Sequence, residues 1–124
     1  MIDAGAVTAA QARLAGVAFR TPAVPARWLS DIVGGPVYLK CENLQRAGSF
    51  KIRGAYNRIS LLSPEERTRG VVAASAGNHA QGVALAAQLL GVKSTVFMPD
   101  GATLPKIPAT VAYGATLEFS GHTV

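Results

Sequence analysis

The spacing of apolar positions changes at Gly70. Over residues 50–62, Ile52, Ala55, Tyr56, Ile59 and Leu62 recur at intervals of three and four, which predicts an amphipathic helix. After Gly70, short apolar runs alternate with helical stretches. Residues 71–74 (Val-Val-Ala-Ala) predict a strand buried on both faces. Residues 79–90 predict a helix with Val83, Ala86, Ala87 and Leu90 on one side, stopped by Gly91. Strands are predicted over 94–98 and 115–119, with a helix over 104–113 between them. A strand–helix–strand–helix–strand order implies a parallel sheet with right-handed crossovers.

The first half reads less regularly. Residues 2–17 predict a helix that starts near Asp3 and stops near Gly16. Thr21-Pro22 breaks the chain, because proline pushes its predecessor out of helical geometry. Pro25 opens a short helix through Val33, ended by Gly34-Gly35. Val37-Tyr38-Leu39 is a strand-like run, and residues 43–49 form a polar loop. Ser63-Pro64-Glu65-Glu66 is a helix start: serine caps, proline follows and acids occupy the first turn. The fold class expected is α/β, a three-layer parallel sheet with flanking helices. A parallel sheet left bare on one face is a poor end point, so the sequence reads as part of a longer chain.

Composition narrows the class. The chain has 124 residues, 49% of them hydrophobic and 15% charged. That is below the charged fraction of an average domain, about 25%, and argues against disorder. No apolar run approaches the roughly 20 residues of a membrane-spanning helix. One cysteine cannot make a disulfide framework. Cys41 reads as a buried small hydrophobe. His79, His122 and the carboxylates show no metal-ligand spacing. No basic start precedes residues 4–17, so a secretory signal is not expected. A soluble cytoplasmic chain is the result.

The net charge of +5 permits a nucleic-acid partner. The arginines are spread singly, however, and one Trp, three Tyr and four Phe are too dispersed for a base-stacking platform. A small anionic ligand explains the excess equally well.

Two constellations carry candidate chemistry. Gly48-Ser49-Phe50-Lys51 lies at a loop-to-helix junction. The positive end of a helix dipole and apolar neighbours favour the free amine at Lys51, as a Schiff-base lysine requires. Spacing alone fits an ordinary exposed lysine at a helix start, which is the commoner case. Ser75-Ala76-Gly77-Asn78-His79 follows a strand and opens a helix. Its small residues allow backbone N–H groups to approach an anion. Simple capping by Asn78 accounts for the same pattern.

Taken together they are more specific. The run Lys40-Cys41-Glu42-Asn43-Leu44-Gln45-Arg46-Ala47-Gly48-Ser49-Phe50-Lys51-Ile52-Arg53-Gly54-Ala55, followed by Ser75-Ala76-Gly77-Asn78-His79-Ala80-Gln81-Gly82, resembles the pyridoxal-phosphate-dependent threonine/serine dehydratases. These are fold type II enzymes of the tryptophan-synthase β-like superfamily. Thr21-Pro22, Met98-Pro99, Lys106 and Tyr113-Gly114-Ala115 also fit. The resemblance implies part of the large cofactor-binding domain over 1–65 and an incomplete small α/β domain over 66–124. It implies pyridoxal 5'-phosphate as cofactor and Lys51 as the lysine that forms the Schiff base with it. Phe50 would lie beside the cofactor ring, and Asn78 would bond its phenolic oxygen. Ser75, Ala76, Gly77, Asn78 and His79 would hold the substrate carboxylate.

The implied reaction removes the Cα proton through Lys51 and expels the β-hydroxyl. Threonine would give 2-oxobutanoate and ammonia, and serine pyruvate and ammonia. The implied setting is amino-acid metabolism, isoleucine biosynthesis included, in a homo-oligomer. The implied partner is a small amino-acid substrate, with no nucleic acid and no membrane. Ala76 stands where racemising members carry a second serine, which favours dehydration. Ala47, Thr103 and Val111 depart from the family's usual threonine, proline and basic residue. The family's glycine-rich phosphate loop and pyridine-nitrogen partner would lie beyond Val124, so residues 1–124 alone are not expected to turn over substrate. Threonine synthase, cysteine synthase and serine racemase are the sister alternatives. A catalytically silent fragment acting as an interaction module is the alternative of another class.

Overall fold

The computed structural model describes residues 2–100 and 106–121. Thr103, Leu104, Pro105 and His122 lie outside the described residues. The main sheet has three parallel strands: β3 (Val71–Ala74), β4 (Ser94–Met98) and β5 (Thr116–Phe119), in the order β3-β4-β5. Register pairs Val71 with Ser94 and Ala74 with Phe97, then Thr95 with Thr116 and Met98 with Phe119. A separate antiparallel ribbon joins β1 (Ala23–Pro25) to β2 (Tyr38–Lys40). The strand-like run before Cys41 therefore has a partner that proline at position 25 had disguised. Proline is tolerated there because an edge strand needs no inward N–H.

Six helices surround these strands among the described residues: α1 (Ala4–Arg13), α2 (Arg27–Val33), α3 (Lys51–Ser60), α4 (Pro64–Arg69), α5 (Asn78–Leu90) and α6 (Lys106–Ala112). Their ends follow the expected chemistry. The Asp3 carboxylate accepts the Ala6 N–H at the start of α1. Ser63 and Glu66 form a reciprocal capping box at α4, satisfying two otherwise orphan N–H groups. Gly34 and Gly91 close α2 and α5 in the left-handed conformation. Helix α1 stops at Arg13, short of the expected position 17, and Leu14 forms its C-cap.

Helix α5 is the centre of the molecule. Every residue from Ala80 to Ala87 is buried, so the expectation of a single apolar side is corrected. A helix apolar all round must be covered all round. One side of α5 packs Val83, Ala86 and Ala87 against Ile52, Ala55 and Ile59 of α3. The other packs Ala80 and Ala84 against Val96, Met98 and Ala115. Alanines dominate because small side chains let helix and sheet approach on both sides at once. Ile52 is fully buried, and its truncation to alanine would cost about 3 kcal/mol.

Strand β3 is not buried on both faces. It is an edge strand whose burial alternates, and Val72 is 71% exposed. Phe97, on the same sheet face through its register with Ala74, is also exposed. The apolar run forms the expected strand but needs a cover that the described residues do not supply. None of the described helices is long and apolar enough to cross a membrane.

Candidate active site

Lys51 is the first residue of α3, and Phe50 takes the N-cap position without a side-chain cap bond. The chain reaches this point through two 3₁₀ turns, Glu42–Leu44 and Arg46–Gly48. Ala47 and Gly48 both have left-handed backbones, φ 58° and 67°. That pair of residues redirects the loop so that Ser49 is buried and Phe50 points outward, 57% exposed. The Lys51 N–H donates to Ser49 Oγ at 3.4 Å. Lys51 Nζ stands 5.1 Å from the centroid of the Phe50 ring, a cation–π distance. The lysine is half-buried while the aromatic ring beside it stays open.

The second constellation follows β3 directly. The Ser75 N–H donates to Phe97 C=O at 3.0 Å, extending the sheet pairing by one residue. Ser75 Oγ then accepts the Gly77 N–H at 3.2 Å, which turns the chain. Gly77 is the N-cap of α5 and makes no side-chain cap bond. Asn78 is therefore the first helical residue, and its expected capping role is corrected. Ser75, Ala76 and Gly77 are half-buried, whereas Asn78 and His79 are exposed. The His79 side chain lines a hollow of about 330 Å³ together with Ala55, Arg58 and Val72.

Helices α3 and α5 bring the two constellations together. One close contact is at Gly82, one turn into α5. A Cβ placed there would lie 2.9 Å from Lys51 Cβ and 3.0 Å from its carbonyl carbon. Lys51 thus rests directly on the helix whose N-terminus carries the loop of residues 75–79.

Sequence reasoning missed the network that holds the loop before Lys51. Arg53 Nε and Nη2 each donate to the Glu42 carboxylate at 2.8 Å, and Nη2 also donates to Phe19 C=O at 3.0 Å. Thr21 Oγ1 donates to Glu42 Oε1 at 2.6 Å. Gln45 accepts the Phe19 N–H and donates to the Phe19 C=O, both at 2.9 Å. The Arg46 guanidinium lies 4.8 Å above the Phe19 ring. Hydrogen bonds from Arg53, foremost, pull the Glu42 carboxyl down to a pKa of about 2 against the opposing effect of burial. Glu42 and Arg53 belong to the conspicuous run of residues 40–55, but only the turn between them shows that they pair. A larger hollow of about 700 Å³, bounded by Val7, Leu14, Phe19, Lys40 and Arg53, lies along α1 and away from Lys51.

The donor set suits pyridoxal phosphate. An amine at a helix start, an adjacent open aromatic ring and a small-residue polar loop are what a ring aldehyde and an amino-acid carboxylate require. Among the described residues, no group of His, Cys, Asp and Glu could hold a metal ion.

The family described as pyridoxal-phosphate dependent enzyme matches residues 4–123. The L-threonine ammonia-lyase of Thermotoga maritima is 55% identical over 122 residues, covering 98% of this chain and 30% of that protein. An L-threo-3-hydroxyaspartate ammonia-lyase from Pseudomonas sp is 52% identical, covering 91% of this chain and 35% of its own. Maize serine racemase superposes with a TM-score of 0.90 at 39% identity, covering 98% of this chain and 37% of that one. The chain thus spans about a third of the length of these relatives. With a mixed α/β architecture that superposes on such enzymes and a lysine-bearing loop seated on the helix that follows β3, the chain belongs to the pyridoxal-phosphate dependent enzymes.

Proposed function

We propose that this chain is the lysine-bearing part of a lyase that eliminates water from L-threonine, and from L-serine, and takes a water back as the amino group leaves as ammonia, giving 2-oxobutanoate or pyruvate. The observation that supports the reading is the seating of Lys51 against α5, the helix that follows the loop of residues 75–79. The ammonia-lyase names of relatives at 52–55% identity support the reaction class. Bound pyridoxal phosphate supplies the electron sink that acidifies the substrate Cα–H. Lys51 Nζ holds the cofactor and takes the Cα proton. Phe50, next to Lys51 in the chain, would lie beside the ring. Asn78, at the first position of α5, orients the ring oxygen. The backbone N–H groups of Ser75 to His79 bind the substrate carboxylate, favoured by the positive end of α5. Ala76 offers no hydroxyl from which a carbanion could regain a proton, so elimination is favoured over racemisation.

The division at residues 65 and 66 into large-domain and small-domain portions belongs to the same proposal. So does a cytoplasmic, homo-oligomeric enzyme acting on a free amino acid, with no nucleic-acid or membrane partner. Staphylococcus aureus and Escherichia coli relatives named catabolic L-threonine dehydratase, each 47% identical, favour substrate breakdown over isoleucine biosynthesis.

A second reading keeps the chemistry and changes the substrate. The Pseudomonas relative acts, by its name, on 3-hydroxyaspartate, which carries a carboxylate where threonine has a methyl group. The experiment is a competition at full length, with threonine, serine and threo-3-hydroxyaspartate supplied together and their 2-oxo acids separated. Predominant 2-oxobutanoate supports the first reading. Predominant oxaloacetate replaces it, and D-serine without oxo acid removes both.

A further inference from the structure

We propose that Gly82 is a positioning residue for Lys51, setting how far the lysine stands from the loop of residues 75–79. The inference rests on reading Lys51 as the cofactor lysine. Gly82 is buried in the first half of α5, four residues beyond Asn78. Its φ lies outside the left-handed region, so the backbone there does not require glycine. Glycine is among the poorest helix formers, and its presence inside a helix calls for a packing reason. Space supplies that reason. The nearest atoms to a Cβ at position 82 would be Lys51 Cβ at 2.9 Å, Lys51 C at 3.0 Å and Lys51 O at 3.2 Å. All three belong to the rigid base of the lysine, and none is the far end of a flexible chain. By contrast, Gly54 on α3 and Gly77 at the N-cap of α5 have nothing within 4 Å of the same construction.

The consequence is geometric. Helix α5 carries the loop of residues 75–79 at its N-terminus and Gly82 one turn further on, as one rigid rod. Helix α3 carries Lys51 at its first position. The gap between amine and loop is therefore fixed by how closely α3 beds onto position 82. An alanine there must open the contact from 2.9 Å to at least 3.4 Å, the near edge of ordinary contact. Ser49 and the turn before it would have to absorb the shift or pass it to Nζ. Reacting groups lose up to about a hundredfold in rate for a displacement near 1 Å.

The test is Gly82→Ala in the full-length enzyme, beside wild type. Three quantities are measured: the melting temperature, the rate at which apoprotein forms a borohydride-reducible bond with pyridoxal phosphate at Lys51, and kcat and KM for the amino acid. We expect an unchanged melting temperature to within about 5 °C, bond formation slowed about fivefold or more, kcat lowered about tenfold to a hundredfold and KM within about threefold. Bond formation and kcat both within twofold of wild type would overturn the proposal. Loss of the folded state would also overturn it, since the contact would then serve general packing. Borohydride label on a lysine other than Lys51 in the wild type would instead overturn the cofactor-lysine reading, whatever the alanine variant does.

Discussion

Arg53 holds Glu42 in a two-point grip, with Nε to one carboxylate oxygen and Nη2 to the other, each at 2.8 Å. The two residues close the turn that delivers Lys51, which lies two positions before Arg53. The Glu42 side chain is 16% exposed and that of Arg53 33%. A fork-to-fork pair in this setting is stronger than a surface ion pair. The pair draws the Glu42 pKa from 4.5 down to about 2. Its stabilisation is therefore fully present above pH 4.5 and is lost as the pH falls toward 2. After discounting for the exposure of Arg53, about 2 kcal/mol is at stake.

Glu42→Gln should accordingly lower stability by about 2 kcal/mol at pH 7. The gap between variant and wild type should narrow as the pH drops from 4.5 toward 2. Thermal unfolding of both proteins across that range is the measurement. A gap that stays constant with pH would show that the carboxylate's charge is not what stabilises the turn.

The turn stores a local cost as well. Ala47 sits at φ 58° and ψ 18°, a conformation that disfavours any Cβ. Replacing it with glycine should stabilise the folded protein by up to about 1 kcal/mol. Gly48, at φ 67° with open space around it, has the opposite response. Gly48→Ala should destabilise by about 1 kcal/mol through backbone strain alone. Paired melting curves of the apoprotein decide the matter, and equal shifts of the same sign would contradict the left-handed geometry at one of the two positions.

Much of this architecture was legible because its signals are local. Ser63, Pro64 and Glu66 announce α4 within four residues, and Val96, Phe97 and Met98 of β4 form an apolar run ended by Pro99. What escaped depends on partners far along the chain. The pairing of β1 with β2 spans the whole of α2, and Pro25 argues against a strand until it is seen at an edge. The alternating exposure of β3 depends on what covers the sheet, which no run of four residues encodes. At the site, Lys51 and the loop of residues 75–79 were conspicuous as motifs. Gly82 lies inside a helical run, and a glycine there is itself a signal of close packing. The hold of Gln45 on both polar groups of Phe19 joins residues 26 apart and had no sequence pattern at all.

Lys51→Ala in the full-length enzyme should lower turnover at least about a thousandfold, because in the proposed mechanism one side chain both holds the cofactor and moves the proton. Pyridoxal phosphate should still bind, without a covalent link, through groups that grip its phosphate. Borohydride reduction followed by peptide mapping should label Lys51 in the wild type and nothing specific in the variant. Label at Lys40 would reassign the site.

Ala76→Ser tests the direction of the chemistry. The residue is half-buried in the loop between β3 and α5, flanked by Ser75 and Gly77. Ser75 Oγ accepts the Gly77 N–H at 3.2 Å, which fixes that side chain within the turn. A hydroxyl at position 76 would add a proton donor to the loop that the proposed function assigns to the substrate carboxylate. In the proposed mechanism Lys51 would reach the substrate from α3, and a residue-76 hydroxyl from the loop that precedes α5. We expect a proton returned from the loop to arrive on the face of Cα opposite Lys51. That is the requirement for inverting Cα, and alanine cannot meet it. With L-serine as substrate, the ratio of D-serine to pyruvate should rise about tenfold, a small share of what a well-placed proton donor contributes. Chiral analysis of recovered serine gives the ratio directly. An active variant with an unchanged ratio would mean that position 76 does not face Cα, and the preference for elimination would then need another source.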